Sequence, residues 1–209
     1  MTNVAVIYYS SQGNVHQLAV AAAAAAEKAG AEVRLRRTAE LTTTSVVPEN
    51  DTWNQAWAEH LASVQDIPEA TLDDLEWADA VLWGTPGRYG LPAASLKQFI
   101  DQTLPLHIRR GLVNKVMSSF TSTATLHGGQ ESTLLALNNA FYHWGAIIVP
   151  PGVADPIQLT ATNGNPYGVS SVSRNEPGNV DEDNLAAIEY QARRTVEIAT
   201  AIRAVPRPA

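Results

Sequence analysis

Ser10, Ser11, Gln12, Gly13, Asn14 and Val15 bring hydroxyls, side-chain amides and a glycine to the point where an apolar run gives way to a helical pattern. At a helix start the backbone N–H groups point outward and the dipole favours negative charge. A phosphate dianion can therefore be held there without lysine or arginine. The stretch has neither the Gly-Lys-Ser/Thr ending of a nucleoside-triphosphate loop nor a G-x-G-x-x-G, so one terminal phosphate fits better than a pyrophosphate. A plain strand-to-helix turn with an Asn or Ser cap uses the same residue types, and this segment alone leaves both readings open. A second stretch, GTPGRYG at residues 84–90, is either a further wall of the same site or a Pro-Gly turn that reverses the chain. A response regulator would place a phospho-accepting Asp here, and Thr85 and Pro86 stand there instead. A third, TSTATLHGG at 121–129, is polar and carries no acid–base pair, which suits cradling a ligand through backbone groups rather than hydrolysis. No Ser-His-Asp spacing and no HExxH occurs, and His16, His60, His107, His127 and His143 form no recognisable metal-ligand pattern.

Composition narrows the chemistry further. The 209 residues carry a formal net charge of -7, which argues against a phosphate-tracking nucleic-acid surface. Cysteine is absent, so disulfides, thiolate metal sites and cysteine redox centres are excluded, and any redox chemistry requires a bound cofactor. The longest apolar stretch, residues 18–26, is mostly alanine and too short to span a bilayer. No leader-like segment precedes the first strand, and a cytoplasmic protein is expected.

The elements that must position these loops alternate in type. NVAVIYY (3–9) reads as a strand buried on both faces, and a helix follows over 15–29 with Val15, Leu18, Ala19, Ala22, Ala23 and Ala26 on one stripe. EVRLR (32–36) alternates and suits a sheet edge. Strands at 80–84, 115–120 and 146–149 and helices near 93–103, 131–144 and 181–204 complete the series. The expectation is one α/β domain over 1–209, a flavodoxin-like doubly wound five-stranded parallel sheet in the order 2-1-3-4-5. In such a sheet the loops beyond the strands' carboxyl ends meet where the order reverses. Residues 38–76 and 150–180 exceed ordinary loop length and read as insertions. The first holds Trp53, Trp57, Leu61 and Val64 at near-helical spacing, a stripe that either packs on its own domain or marks a subunit contact.

On YYSSQGNV, GTPGRYG, FIDQT (99–103), FTSTATLHGGQE, HWGAIIVPPG and NPYG (165–168), the chain resembles the WrbA-type FMN-dependent NAD(P)H:quinone oxidoreductases over nearly its whole length. The order and spacing of these motifs carry the resemblance. It implies that Ser10 to Val15 hold the FMN phosphate, and that Pro86, Gly87, Arg88 and Tyr89 border the isoalloxazine. It further implies that Ser122, Thr123, Ala124, Thr125, Leu126, His127, Gly128 and Gly129 wrap the pyrimidine and ribityl portions, and that His143 approaches from a neighbouring element. Arg88, Tyr89 and His107 are the candidates for the substrate cleft. NADH or NADPH as co-substrate, a quinone as acceptor and a homotetramer with active sites walled by neighbouring subunits follow from the same resemblance. Hydride transfer to a flavin needs stacking and alignment rather than a protein nucleophile, and donor and acceptor sharing one flavin face implies ping-pong kinetics. The sequence departs from the family pattern at Gln12, His107, Leu126 and His127, positions that bear on substrate preference. Rival readings are a one-electron carrier flavodoxin and a non-catalytic FMN-binding interaction protein. Arg34, Arg36 and Arg37 are either a solvent face of the edge strand or recognition groups for a 2′-phosphate.

Overall fold

The computed structural model describes residues 1–42, 47 and 49–205. Its sheet is built on β1 (Thr2–Tyr8), β2 (Ala31–Arg37), β3 (Ala80–Arg88), β4 (Leu91–Pro92), β5 (Val116–Thr123), β6 (Ile147–Ile148) and β7 (Ser170–Val172). The parallel path runs β2-β1-β3-β5-β6, which is the expected 2-1-3-4-5 order. Val4, Ala5, Val6 and Ile7 of β1 are completely buried, because helices cover both faces of the sheet. One core lies under α1 (Asn14–Lys28) and α7 (Glu182–Ile202). The other gathers Trp83, Phe99, Phe141 and Trp144 under α4 (Ala94–Asp101) and α6 (Gln130–His143). Alanines on α1 leave Leu18, Ala19, Ala22 and Ala26 without exposed surface, and their small side chains let α1 lie close to the sheet.

Three sequence expectations need correction. The sheet has seven strands rather than five, since β4 pairs antiparallel with β3 and β7 pairs parallel with β5. The fifth position is divided: β6 lies beside Val116 and Met117, and β7 lies beside Thr121 to Thr123. Part of the expected 150–180 insertion therefore completes the sheet. Strands β3 and β5 also extend through Thr85–Arg88 and Thr121–Thr123, which read as loops in sequence but pair in register, Thr85 opposite Thr121 and Pro86 opposite Ser122. Hydroxyls make this polar strand end tolerable, with Thr121 Oγ1 donating to the Thr85 carbonyl at 2.7 Å and Ser171 Oγ to Ser122 Oγ at 2.9 Å.

Gln191 of α7 ties the divided strand together. Its buried amide donates to Ser118 Oγ (2.7 Å) and the Ser119 carbonyl (2.8 Å), and its oxygen accepts from the Val169 N–H (2.7 Å).

The 38–76 stretch, of which 43–46 and 48 lie outside the described residues, contains α2 (Asp51–Ser63) and α3 (Leu72–Trp77). A capping box between Thr71 and Asp74 starts α3. Trp57, Leu61 and Val64 face Tyr8, Tyr9, Arg37 and Thr38 around a small cavity, so this stripe packs on its own domain. The edge-strand arginines are engaged locally: Arg34 with Asp73 and Asp74, Arg36 with Asp74, Arg37 with Glu69 and the Ile67 carbonyl. This network joins β2 to α3 and the segment before it.

Candidate flavin site

The loops after β1, β3 and β5 converge beyond the strands' carboxyl ends, where the order turns from β1 to β3. Ser10, Ser11, Gln12, Asn14, Val15, Pro86, Gly87, Arg88, Ser122, Thr123 and Ala124 line one cleft there, of about 100 Å³. A second cavity of about 380 Å³ shares Ala124 and Asn175 with it and is walled by Thr125, Leu126, Thr162, Val172 and Arg174.

Gly13 is the N-cap of α1 and adopts φ +91°, a left-handed turn that brings the loop amides onto the helix axis. Its N–H donates to Ser10 Oγ at 3.1 Å. The amides of the first turn of α1 have no preceding carbonyl to bond, which leaves them to a ligand or water. Arg88 Nη2 reaches across from the β3 loop and donates to Ser11 Oγ at 3.0 Å. Burial pulls the Arg88 guanidinium below its ordinary pKa, while Tyr9 and Glu40 pull it upward. A guanidinium so placed adds positive charge beside the phosphate-type loop.

The two remaining loops meet backbone to backbone. A Cβ on Gly129, at φ +82°, would stand 2.8 Å from Gly90 Cα, and one on Gly87 would stand 2.7 Å from Thr123 Cγ2. Gly128 lies equally close to Thr123, where a Cβ would approach within 2.6 Å. These glycines let the β3 and β5 loops form one continuous wall.

A segment missed by sequence reasoning closes the other side. Trp53 of α2, Ser173 and Asn175 also line the cleft. The Gly178 N–H donates to the Gln12 carbonyl (2.9 Å), and Asn14 Nδ2 donates to the carbonyls of Glu176 and Asn179 (both 3.0 Å). The only sequence signal was the length of the 150–180 stretch.

Tyr89, next in sequence to the cleft-lining Arg88, does not itself line the cleft; it is fully exposed and at φ +53°. His127 lies on the exposed tip of the β5 loop. The structure does not bring His107 and His143 to this cleft. Both line a separate groove of about 660 Å³ among α4, α5 (Leu104–Ile108) and α6, with Leu91, Leu104 and Trp144. His143 is at the C-terminal end of α6, whose N-terminal end faces the cleft. Fourteen helical residues separate the two ends by about 20 Å, so within one chain His143 cannot border the ligand that the loops hold. Among the described residues, no helix is long and apolar enough to cross a membrane.

The donor set suits FMN. A carboxylate-free helix start with one half-buried cation, Arg88, matches a phosphate monoester, and the glycine-backed wall of backbone groups matches a flat ring beside it.

Comparisons with known proteins agree with this geometry. The family model described as NADPH-dependent FMN reductase matches residues 2–158. A protein from Deinococcus radiodurans named NAD(P)H dehydrogenase (quinone) is 39% identical over 194 residues, covering 93% of this chain and 94% of its own. One of the same name from Paracoccus denitrificans is 39% identical, covering 97% of this chain and 96% of its own. Among solved structures, a WrbA-like flavodoxin from Agrobacterium tumefaciens aligns with a TM-score of 0.65 at 21% identity, over 96% of this chain and 99% of that one. Oxidised flavodoxin 2 from Bacillus cereus aligns at 0.58 and 14% identity, over 94% and 99%. These two likenesses bear on the fold, which is flavodoxin-like. The family match over three quarters of the chain and the 39% identities decide the kinship: the chain belongs to the NADPH-dependent FMN reductase family of flavin oxidoreductases.

Proposed function

We propose that this protein is a cytoplasmic FMN-dependent NAD(P)H:quinone oxidoreductase that moves electrons in pairs. The observation that carries the reading is the cleft itself: Ser10 to Gln12, Asn14, Gly87, Arg88 and Ser122 to Ala124 line it together beyond the carboxyl ends of the strands of a flavodoxin-like sheet. Names of relatives from six organisms, all NAD(P)H dehydrogenase (quinone), support quinone as the acceptor class. FMN, when bound, supplies a hydride acceptor for NADH or NADPH and a two-electron donor for the quinone. The chain's part is placement. The amides of Ser11, Gln12, Asn14 and Val15 and the Arg88 guanidinium hold the phosphate, and backbone groups of residues 86–89 and 122–129 border the ring. Tyr89 stands where the entering substrate passes.

The assembly in this reading is a homotetramer. Its contact is not the Trp57/Leu61 stripe, which its own domain covers, but the face around the α4–α6 groove. Tyr89, Leu91, Leu104, Ile108, Leu135 and Tyr142 are all exposed on these neighbouring elements, an unusual apolar concentration for a free surface. Only another copy could bring His107 or His143 to a flavin.

Initial rates with varied NAD(P)H and benzoquinone test the reading. Parallel double-reciprocal lines are expected, with activity per bound flavin falling as the enzyme is diluted. Intersecting lines contradict the shared flavin face. Turnover that is unchanged in a monomer removes the composite cleft.

A further inference from the structure

Asn14, the first residue of α1, is buried, and its side chain is committed to a distant part of the chain. Its Nδ2 donates to the carbonyls of Glu176 and Asn179, both at 3.0 Å, which occupies both amide hydrogens. Segment 173–179 has three further ties. The Gly178 N–H donates to the Gln12 carbonyl at 2.9 Å, Gln17 Nε2 donates to the Gly178 carbonyl, and the Ser173 N–H donates to the Thr123 carbonyl at 2.8 Å. The segment is therefore a strap that joins the end of β5 to the β1–α1 loop, and its Ser173 and Asn175 line the cleft. Within it Arg174 and Asn175 stand at φ +54° and +63°. Such left-handed backbone costs residues with a Cβ and needs outside ties to persist.

We propose that the Asn14 side chain is a positioning group rather than a phosphate ligand: it latches the 173–179 strap to the start of α1, and the latched strap sets the phosphate loop for FMN. The inference rests on the FMN reading above and adds the strap to it. The strap acts on the peptide between Gln12 and Gly13. That peptide's carbonyl accepts from the Gly178 N–H, and its own N–H donates to Ser10 Oγ at 3.1 Å, so a planar unit is held at both ends. Released from the strap, the Gln12 carbonyl is free to turn toward the cleft, where its negative dipole opposes a phosphate. Release also withdraws Ser173 and Asn175 from the cleft wall. Gln12, Asn14 and Gln17 all lie at the phosphate end, so a flavin that lacks the phosphate should register the latch little.

Flavin-fluorescence titration and hydrogen exchange of the full chain test this. Asn14→Leu keeps the size of the side chain and the backbone N–H and removes the donors. It is expected to weaken FMN about tenfold, the worth of one to two hydrogen bonds, and to change riboflavin affinity by less than about threefold. In the flavin-free variant the amides of 174–179 should exchange at least about tenfold faster than in the parent, with those of β1 unchanged. Gln17→Met loosens the strap from an exposed position outside the cleft and should shift FMN affinity and strap exchange in the same direction, by about threefold. Faster strap exchange with unaltered FMN affinity, weaker FMN with unaltered strap exchange, or equal loss of FMN and riboflavin overturns the inference alone. A parent protein that binds no FMN overturns the flavin reading and this inference with it.

Discussion

Gly13→Asp is expected to lose FMN by about a thousandfold while the domain stays folded. Gly13 is the N-cap of α1 in a left-handed conformation, unlike the extended backbone of an aspartate cap. A carboxylate there would set a like charge at the helix start that the phosphate needs. Two unit charges about 4 Å apart repel by roughly 4 kcal/mol at an effective dielectric near 20, which is about three decades in a dissociation constant. Gly13→Asn separates this from the backbone cost. Asparagine has the same shape, shares the demand of φ +91° and carries no charge, so it should lose only about 1 kcal/mol, roughly fivefold. The measurement is FMN titration of both variants beside their thermal unfolding. An aspartate variant that binds FMN within about threefold of the asparagine variant would show that no phosphate sits on this turn.

Gly168→Ala should produce the largest loss of stability. A Cβ there would stand 2.1 Å from the Ser119 carbonyl oxygen and 3.1 Å from Leu134 Cδ2. Neither side can withdraw. Ser119 lies inside β5, paired with Trp83, and its carbonyl accepts from Gln191. The Gly168 side is held one residue on, where the Val169 N–H donates to Gln191 and its carbonyl accepts from the Thr121 N–H at 2.9 Å. Forced displacement of a core strand by a methyl group costs on the order of 4 kcal/mol, about 10 °C in melting temperature for a chain of this size. Because β7 and the 173–180 segment follow directly, the flavin site should weaken as well. A melting temperature within about 2 °C of the parent would mean that β7 does not pack on β5 as described.

These two glycines differ in how far the sequence disclosed them. Gly13 was legible in part, since a glycine among hydroxyls between a buried strand and a helix left two readings open, a phosphate loop and an ordinary capped turn. Gly168 was visible only as part of the NPYG motif. Its physical role is a close approach between residues 49 positions apart, which no local pattern encodes. The same contrast runs through the fold. Strand β1 announced itself because burial on both faces demands a continuous apolar run. The ends of β3 and β5 did not, because Thr85–Arg88 and Thr121–Thr123 are polar and carry Pro86 and Gly87, yet their hydroxyls find partners across the sheet. Strand β7 has three residues, two of them serine, and is specified by its neighbours rather than by its own propensity.

Periodicity also located the apolar stripe of α2 without naming what covers it. The structure turns Trp57 inward, its indole N–H donating to Glu40 at 3.1 Å beside the Tyr9 hydroxyl at 2.9 Å. Trp53 then falls on the flavin cleft and His60 behind the phosphate loop. For His143 the sequence resemblance suggested a neighbour of the ring, whereas the length of α6 removes it from its own chain's site.

The central claim is that this cleft holds FMN and passes an electron pair from a nicotinamide to a quinone. Anaerobic addition of NADPH, and separately NADH, to the FMN-loaded protein tests it most directly. At least one of them should abolish the oxidised-flavin absorption band at one nicotinamide per flavin, and one equivalent of benzoquinone should restore it. A flavin that neither nicotinamide bleaches, or one that halts at a long-lived one-electron stage as in a carrier protein, would contradict the account.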